Sequence, residues 1–210
     1  MKKIILGLLV LCLVVFVFTF GFKVNAFRES FYKKEFVKYG VYDKFAGKDI
    51  DKINTEVIGY LKGREISLDD GFFSAAEISH LKDVRGLVRG ADILFYLSLV
   101  FALACGAGLF YLDKNLLNIS RALMIGGIVS AVGVIAIIAF VIFGFDSIFT
   151  YFHYLLFSQG GWVFGATDNI VNLYTEGFFY DMGLRVFLSI LAFANILILL
   201  SLSLPRWSGD

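Results

Sequence analysis

Four long apolar runs divide this chain. The first, residues 4–22, carries no charge over 19 positions, and further runs follow at about 91–112, 122–145 and 184–204. A hydrocarbon core about 30 Å thick is crossed by a helix of about 20 residues, so each run is long enough to span a membrane. The pattern predicts an all-α membrane protein with four transmembrane helices, forming a single integral membrane domain over residues 1–210. Between the spans lie two polar loops, 23–90 and 146–182, and a short turn at 113–121. The third run is rich in Gly, Ala and Ile, and its small side chains suit close helix packing.

The polar segments have their own periodicity. Ile53, Val57 and Leu61 fall at i, i+4 and i+8, one stripe of a helix over 51–61, and Gly63 supplies a stop. Ser74 and Glu77 have capping-box spacing, in which the serine oxygen accepts an amide hydrogen bond while the glutamate reaches back. A helix is therefore predicted from about Ala75, with Glu77 and Asp83 each three residues from His80 and able to share its face. The first loop is thus large and partly helical. In the second, Asp168 is placed to cap a short helix at 169–176, and Asp146 also reads as a cap.

Composition sharpens the class. The chain is 59% hydrophobic, with a mean hydropathy of +0.79, in excess of a soluble domain. A net charge of +1 gives no electrostatic case for nucleic acid as a partner. One proline against 24 phenylalanines excludes a linker-rich chain. Cys12 and Cys105 both lie in apolar runs, which argues against a disulfide or a zinc site. Motifs of the P-loop, dinucleotide-binding, HExxH and GxSxG types are missing from the sequence. Val24, Asn25 and Ala26 resemble a signal-peptidase site, but the preceding run exceeds the usual 7–15 residues of a cleaved segment. It reads as an uncleaved anchor. Leu11 fills the position before Cys12 where a lipobox needs a small residue.

Charge near the span ends sets the expected orientation. Lys2, Lys3, Lys114, Arg121 and Arg206 fall on one side, with Arg185 counting against. The 23–90 segment holds thirteen Lys/Arg and eleven Asp/Glu, but loops of that length translocate largely regardless of charge. Both termini are expected in the cytoplasm and both large loops outside the cell membrane, which makes the Asn118–Ser120 sequon cytoplasmic.

On that topology the two histidines, His80 and His153, share the extracytoplasmic side. Imidazole, with an unperturbed pKa near 6.5, suits proton transfer at neutral pH. His80 precedes Ala91 by 11 residues, about 16 Å of helix rise, whereas His153 is expected at the membrane surface. For the two to meet, residues 75–89 would fold over, with a bend at Gly86 or Gly90. The residues alone leave three readings: a catalytic pair, a pair of interfacial anchors, or a metal site completed by Glu77, Asp83 or Asp168. The aromatics Tyr151, Phe152, Tyr154, Phe157, Trp162, Phe164, Phe178, Phe179 and Tyr180 read as an interfacial belt or as the wall of a groove for acyl chains. Arg85 and Arg89, one helical turn apart, face lipid phosphate, Asp92 or a substrate headgroup.

Glu77, His80, Asp83, Val84 and Arg85, just before the second run, resemble a characteristic element of a four-span integral membrane family that includes the bacterial lipoprotein intramolecular transacylases (Lit). Phe152, His153, Phe157, Trp162, Asp168, Glu176, Phe178 and Phe179 are similar to that family's second-loop pattern. Asn54 through Leu61 resembles its first-loop helix. One departure is Thr175, where the pattern leads us to expect proline. The resemblance implies an acyltransferase of the membrane that needs no cofactor and no metal. Its substrate would be a diacylglyceryl-modified lipoprotein held in membrane lipid. The sn-2 acyl chain would move to the lipoprotein's own N-terminal amine, leaving a lyso-form product. It implies His80 and His153 as general base and acid, with Glu77 or Asp83 orienting His80, Arg85 polarising a carbonyl and Asp168 in support. Phe152, Phe157, Trp162, Phe178 and Phe179 would wall the groove. A non-catalytic membrane scaffold of the same family is the alternative.

Overall fold

The computed structural model describes residues 1–157 and 160–204; Arg206, counted above for orientation, lies outside the described residues. Among the described residues eight helices follow one another: α1 (Lys2–Asn25), α2 (Glu29–Lys38), α3 (Val41–Lys44), α4 (Ile50–Leu61), α5 (Ala75–Asp113), α6 (Leu117–Leu156), α7 (Asn169–Leu173) and α8 (Glu176–Ser203). Of these, α1, α5, α6 and α8 are long and apolar enough to cross a membrane. The protein is an all-α, multi-pass membrane protein.

Local chemistry sets the helix ends. Glu77 Oε2 accepts the Ser74 amide at 2.6 Å and Ser74 Oγ accepts the Glu77 amide at 3.3 Å, so the capping box starts α5. Asp49 starts α4 by accepting the Lys52 amide at 3.0 Å. Gly63 takes φ 91° just past α4, and the Arg64 amide donates back to the Gly59 carbonyl at 3.0 Å, closing a Schellman-type stop. Thr175 Oγ1 accepts the Phe178 amide at 3.2 Å and so caps α8.

Three elements differ from the sequence reading. Helix α5 runs through Gly86 and Gly90 without a break. Glycine in a helix interior costs only about 1 kcal/mol relative to alanine, too little to force a bend. Helix α6 does not stop where the third apolar run ends; it continues to Leu156, interrupted only by non-helical backbone at Gly144. Asp146 therefore lies within α6, two residues past that interruption. Helix α7 ends at Leu173, and the Thr175 cap lets α8 begin at Glu176.

The chain forms two compact units. The first comprises Met1–Asn25, Ala91–Ala139 and the chain from Leu184. Its buried apolar clusters are Leu9, Leu13, Leu109 and Ala122, and Val17, Val134 and Ile190. A Cβ built on Gly127 would lie 2.8 Å from the Ala194 carbonyl oxygen, so here the third span does use a small residue for close approach. Lys2 pairs with Asp113 at 2.6 Å, and Lys23 pairs with Asp92, the carboxylate considered above for the arginines. Asn25 is buried; its Nδ2 donates to the Gly21 carbonyl and Ser189 Oγ, and its Oδ1 accepts from Arg185 Nε at 2.9 Å. The Arg185 charge thus has a polar partner, as a charge among membrane helices requires.

The second unit comprises Ala26–Gly90 and Phe140–Gly183. It contains α2, α3, α4 and α7 together with the first part of α5, the last part of α6 and the start of α8. Its core is strongly aromatic, with Phe31, Tyr32, Phe36, Phe72, Phe73 and Tyr174 buried alongside Val57 and Leu173. The Tyr174 hydroxyl, buried with them, donates to Asn54 Oδ1 at 3.0 Å, which joins the first-loop helix to the second loop.

Candidate functional site

Within the second unit, His80 in α5 and His153 in α6 face each other. Their ring centroids are 6.2 Å apart and the rings lie within 25° of parallel. The meeting needs no bend in α5. Relative to the predicted span ends, α5 extends back about 16 Å to His80 and α6 extends forward about 12 Å to His153. Two helical extensions of similar length bring the rings together.

The environments of the two rings differ. His153 Nδ1 lies 2.7 Å from the Phe149 carbonyl, one turn back in α6. A carbonyl only accepts, so Nδ1 carries the proton and Nε2 of the neutral ring is the acceptor. His80 is 8% exposed, and among the described residues its buried Nδ1 has no hydrogen-bond partner. Such an atom is uncommon in a folded interior.

Aromatic rings enclose the pair. Phe157, 8% exposed, packs against both, with centroids 4.7 Å from His80 and 5.5 Å from His153. Phe164 meets His80 edge-on at 5.4 Å. Trp162 lies 5.0 Å from His153, and Tyr154 meets Trp162 edge-on at 5.0 Å. Phe149, at 4.3 Å, is the nearest of these rings to His153. It sits one turn before His153, at the start of the segment read as the second loop, and no motif singles it out. Phe152 is half exposed beside His153, and Phe179 reaches the group through Phe149. Phe178 does not belong to this wall. It is 3% exposed and packs on Phe31, Tyr32, Phe36 and Tyr174, because the early start of α8 turns it into the core. An open cleft of about 460 Å³ runs along α6, lined by Asp146, Ser147, Thr150, Tyr151 and Tyr154, and so borders the Trp162 side of the pair.

The polar residues singled out in the sequence take other positions than expected. Glu77 is 2% exposed and does not hydrogen-bond His80; Oε2 serves the capping box and Oε1 accepts the Ile170 amide at 2.6 Å. Asp83 is exposed. Arg85 donates to the Gly63 carbonyl at 3.0 Å and lies 4.6 Å over the Tyr60 ring, so it clamps α5 to the end of α4. Asp168 stands before α7 but its Oδ2 accepts the Gly165 amide at 2.6 Å, closing a turn behind Phe164 instead of capping the helix. Among the described residues no three His, Cys, Asp or Glu side chains form a set that could hold a metal ion.

Facing imidazoles, one with a defined acceptor nitrogen, in a mostly apolar enclosure, suit proton transfer to and from a lipid-borne group. A family model, lipoprotein intramolecular transacylase Lit, matches residues 7–179. Among solved structures, the chain is similar to the membrane integral lipoprotein intramolecular transacylase Lit of Bacillus cereus. The TM-score is 0.85 at 22% identity, covering 95% of this chain and 94% of that one. A variant of the Bacillus cereus protein with one histidine changed to alanine matches with a TM-score of 0.81 at 21% identity, covering 97% and 93%. No match is found among curated proteins.

Proposed function

The chain belongs to the lipoprotein intramolecular transacylase (Lit) family, and from that premise we propose that it moves an acyl chain within one lipoprotein. The substrate is a diacylglyceryl-modified N-terminal cysteine with a free α-amine, embedded in the cell membrane. The amine nitrogen attacks the carbonyl carbon of the sn-2 ester. A C–N bond forms and the C–O bond breaks, giving an N-acyl, monoacylglyceryl lipoprotein. The observation that carries this reading is the facing pair His80 and His153.

The ring environment of His153 supports a base role for it. His153, with Nδ1–H committed to Phe149, offers Nε2 as the base that takes the amine's proton. His80 gives a proton to the departing glyceryl oxygen, and the proton held by His153 then restores it. No proton is gained or lost overall. Amine and ester share one molecule, so proximity supplies much of the acceleration and no serine or cysteine nucleophile enters. Phe157, Trp162 and Phe164 exclude water that would hydrolyse the ester. The charge pattern around the spans supports an outward-facing site with both termini in the cytoplasm.

The test is mass spectrometry of the N-terminal lipopeptide of a co-expressed lipoprotein. Wild-type protein is expected to yield the lyso form. His80→Ala and His153→Ala each lose about 100-fold or more of it, the scale of general acid–base catalysis, while remaining in the membrane. Undiminished product in both variants contradicts the mechanism.

A further inference from the structure

We propose that Glu77 is a positioning residue: its buried carboxylate fastens the second loop onto the helix that carries His80, and so holds the aromatic enclosure against that ring. The inference rests on His80 being catalytic, as argued above, and concerns how the ring is kept in place.

Glu77 lies one turn before His80 on α5, yet its carboxylate points to other partners. It is 2% exposed and each oxygen is used. Oε2 accepts the Ser74 amide at 2.6 Å, at the start of α5. Oε1 accepts the Ile170 amide at 2.6 Å, in the first turn of α7. One carboxylate thereby binds the starts of two helices that are far apart in sequence, and the unpaired amides of helix starts favour a negative group. A second tie supports the same junction: Asn169 Nδ2 donates to the Phe72 carbonyl at 2.5 Å.

What hangs on this junction is the wall of the site. The turn before α7 is closed by Asp168 accepting the Gly165 amide, and Phe164 projects from it onto His80. Phe157, at the other end of the same loop, packs on both imidazoles. Beside the Glu77 bridge, the junction rests on the Asn169–Phe72 hydrogen bond and on apolar contacts, which resist sliding weakly. Charge-assisted hydrogen bonds are directional and fix register. A shift of about 1 Å at a reacting group can cost about 100-fold in rate.

The test uses Glu77→Gln in the full-length protein. Glutamine offers one acceptor oxygen and turns an NH2 group toward the other amide, so one of the two arms is lost. The protein has only two histidines, so histidine-labelled NMR gives two imidazole signals, and the neighbouring Phe157 and Phe164 rings displace that of His80. In Glu77→Gln the His80 signal is expected to move toward that of an imidazole without these ring neighbours. With helicity unchanged, kcat falls about 100-fold and KM stays within about 2-fold, the signature of lost alignment and not lost binding. A wild-type His80 signal, or a moved signal with wild-type kcat, overturns the proposal. If Glu77→Gln does not fold, Asn169→Ala carries the test: the same displacement and loss of kcat are expected, and wild-type values for both overturn it. If wild-type protein converts no lipoprotein at all, the transacylase reading fails, while the His80 signal still decides whether Glu77 holds the loop.

Discussion

Glu35 in α2 sets one carboxylate against another. Its Oε2 is buried with Lys38 Nζ 4.0 Å away, beyond hydrogen-bond reach, and the carboxyl neighbours Asp181, which is itself bound by Lys38 and by the Tyr39 hydroxyl. Burial first, and the Asp181 carboxylate second, raise the Glu35 pKa, while Lys38 lowers it. A folded-state pKa above the unfolded one means that protonation favours the fold. The contribution is complete below the ordinary glutamate range and is lost as pH rises through the raised value. Wild-type protein is therefore expected to show a thermal midpoint that declines as pH rises above the ordinary glutamate range. Glu35→Gln, which keeps the shape without the charge, should flatten that decline; an unchanged pH dependence in the variant would remove Glu35 as its source. The same distinction between local and distant partners governs what could be read from residues alone. The capping half of Glu77 was legible, since Ser74 is three positions away. Its Ile170 half was not, because spacing says nothing of partners so distant in the chain. Arg85 was placed on lipid, Asp92 or substrate for the same reason, and its actual partners belong to the end of α4. His80 and His153 stood out because the chain has no other histidines.

At the scale of elements, the apolar runs were the clearest signal and their ends the weakest. Asp146 marks the end of an unbroken apolar run, yet residues 147–156 contain no proline or glycine, and the aromatic and aliphatic side chains there continue the helix to Leu156. That continuation is what brings His153 level with His80. Reading it as loop created the need for a bend in α5 that the helix does not have. Thr175 makes a similar point. It departs from the family pattern as a missing proline, but its hydroxyl caps α8 and sets the helix start at Glu176. The early start then buries Phe178 and leaves Phe179 near Phe149. Side-chain direction within a loop depends on where helices begin, and a one-turn error there exchanges groove residues for core residues.

For the whole molecule, family and fold agree: the Lit model matches residues 7–179, and the chain shares the fold of the Bacillus cereus structure. Hydropathy sufficed for four spans and an all-α class. It does not carry the division into two compact units, since the aromatic core of the second unit is assembled from segments on either side of two spans. The proposed orientation has a separate check. A cysteine replacing exposed Asp70 in the first loop should react with a membrane-impermeant thiol reagent in intact cells; reaction only after lysis would reverse the topology. The most direct measurement of the central claim is a crossover experiment. Purified protein is given two diacylglyceryl lipopeptides of different peptide mass, one of them carrying a deuterated sn-2 acyl chain, and the products are resolved by mass spectrometry. Transfer within one molecule predicts that each peptide becomes N-acylated with its own label. Labels exchanged between the two peptides, or no N-acylated product, would contradict it.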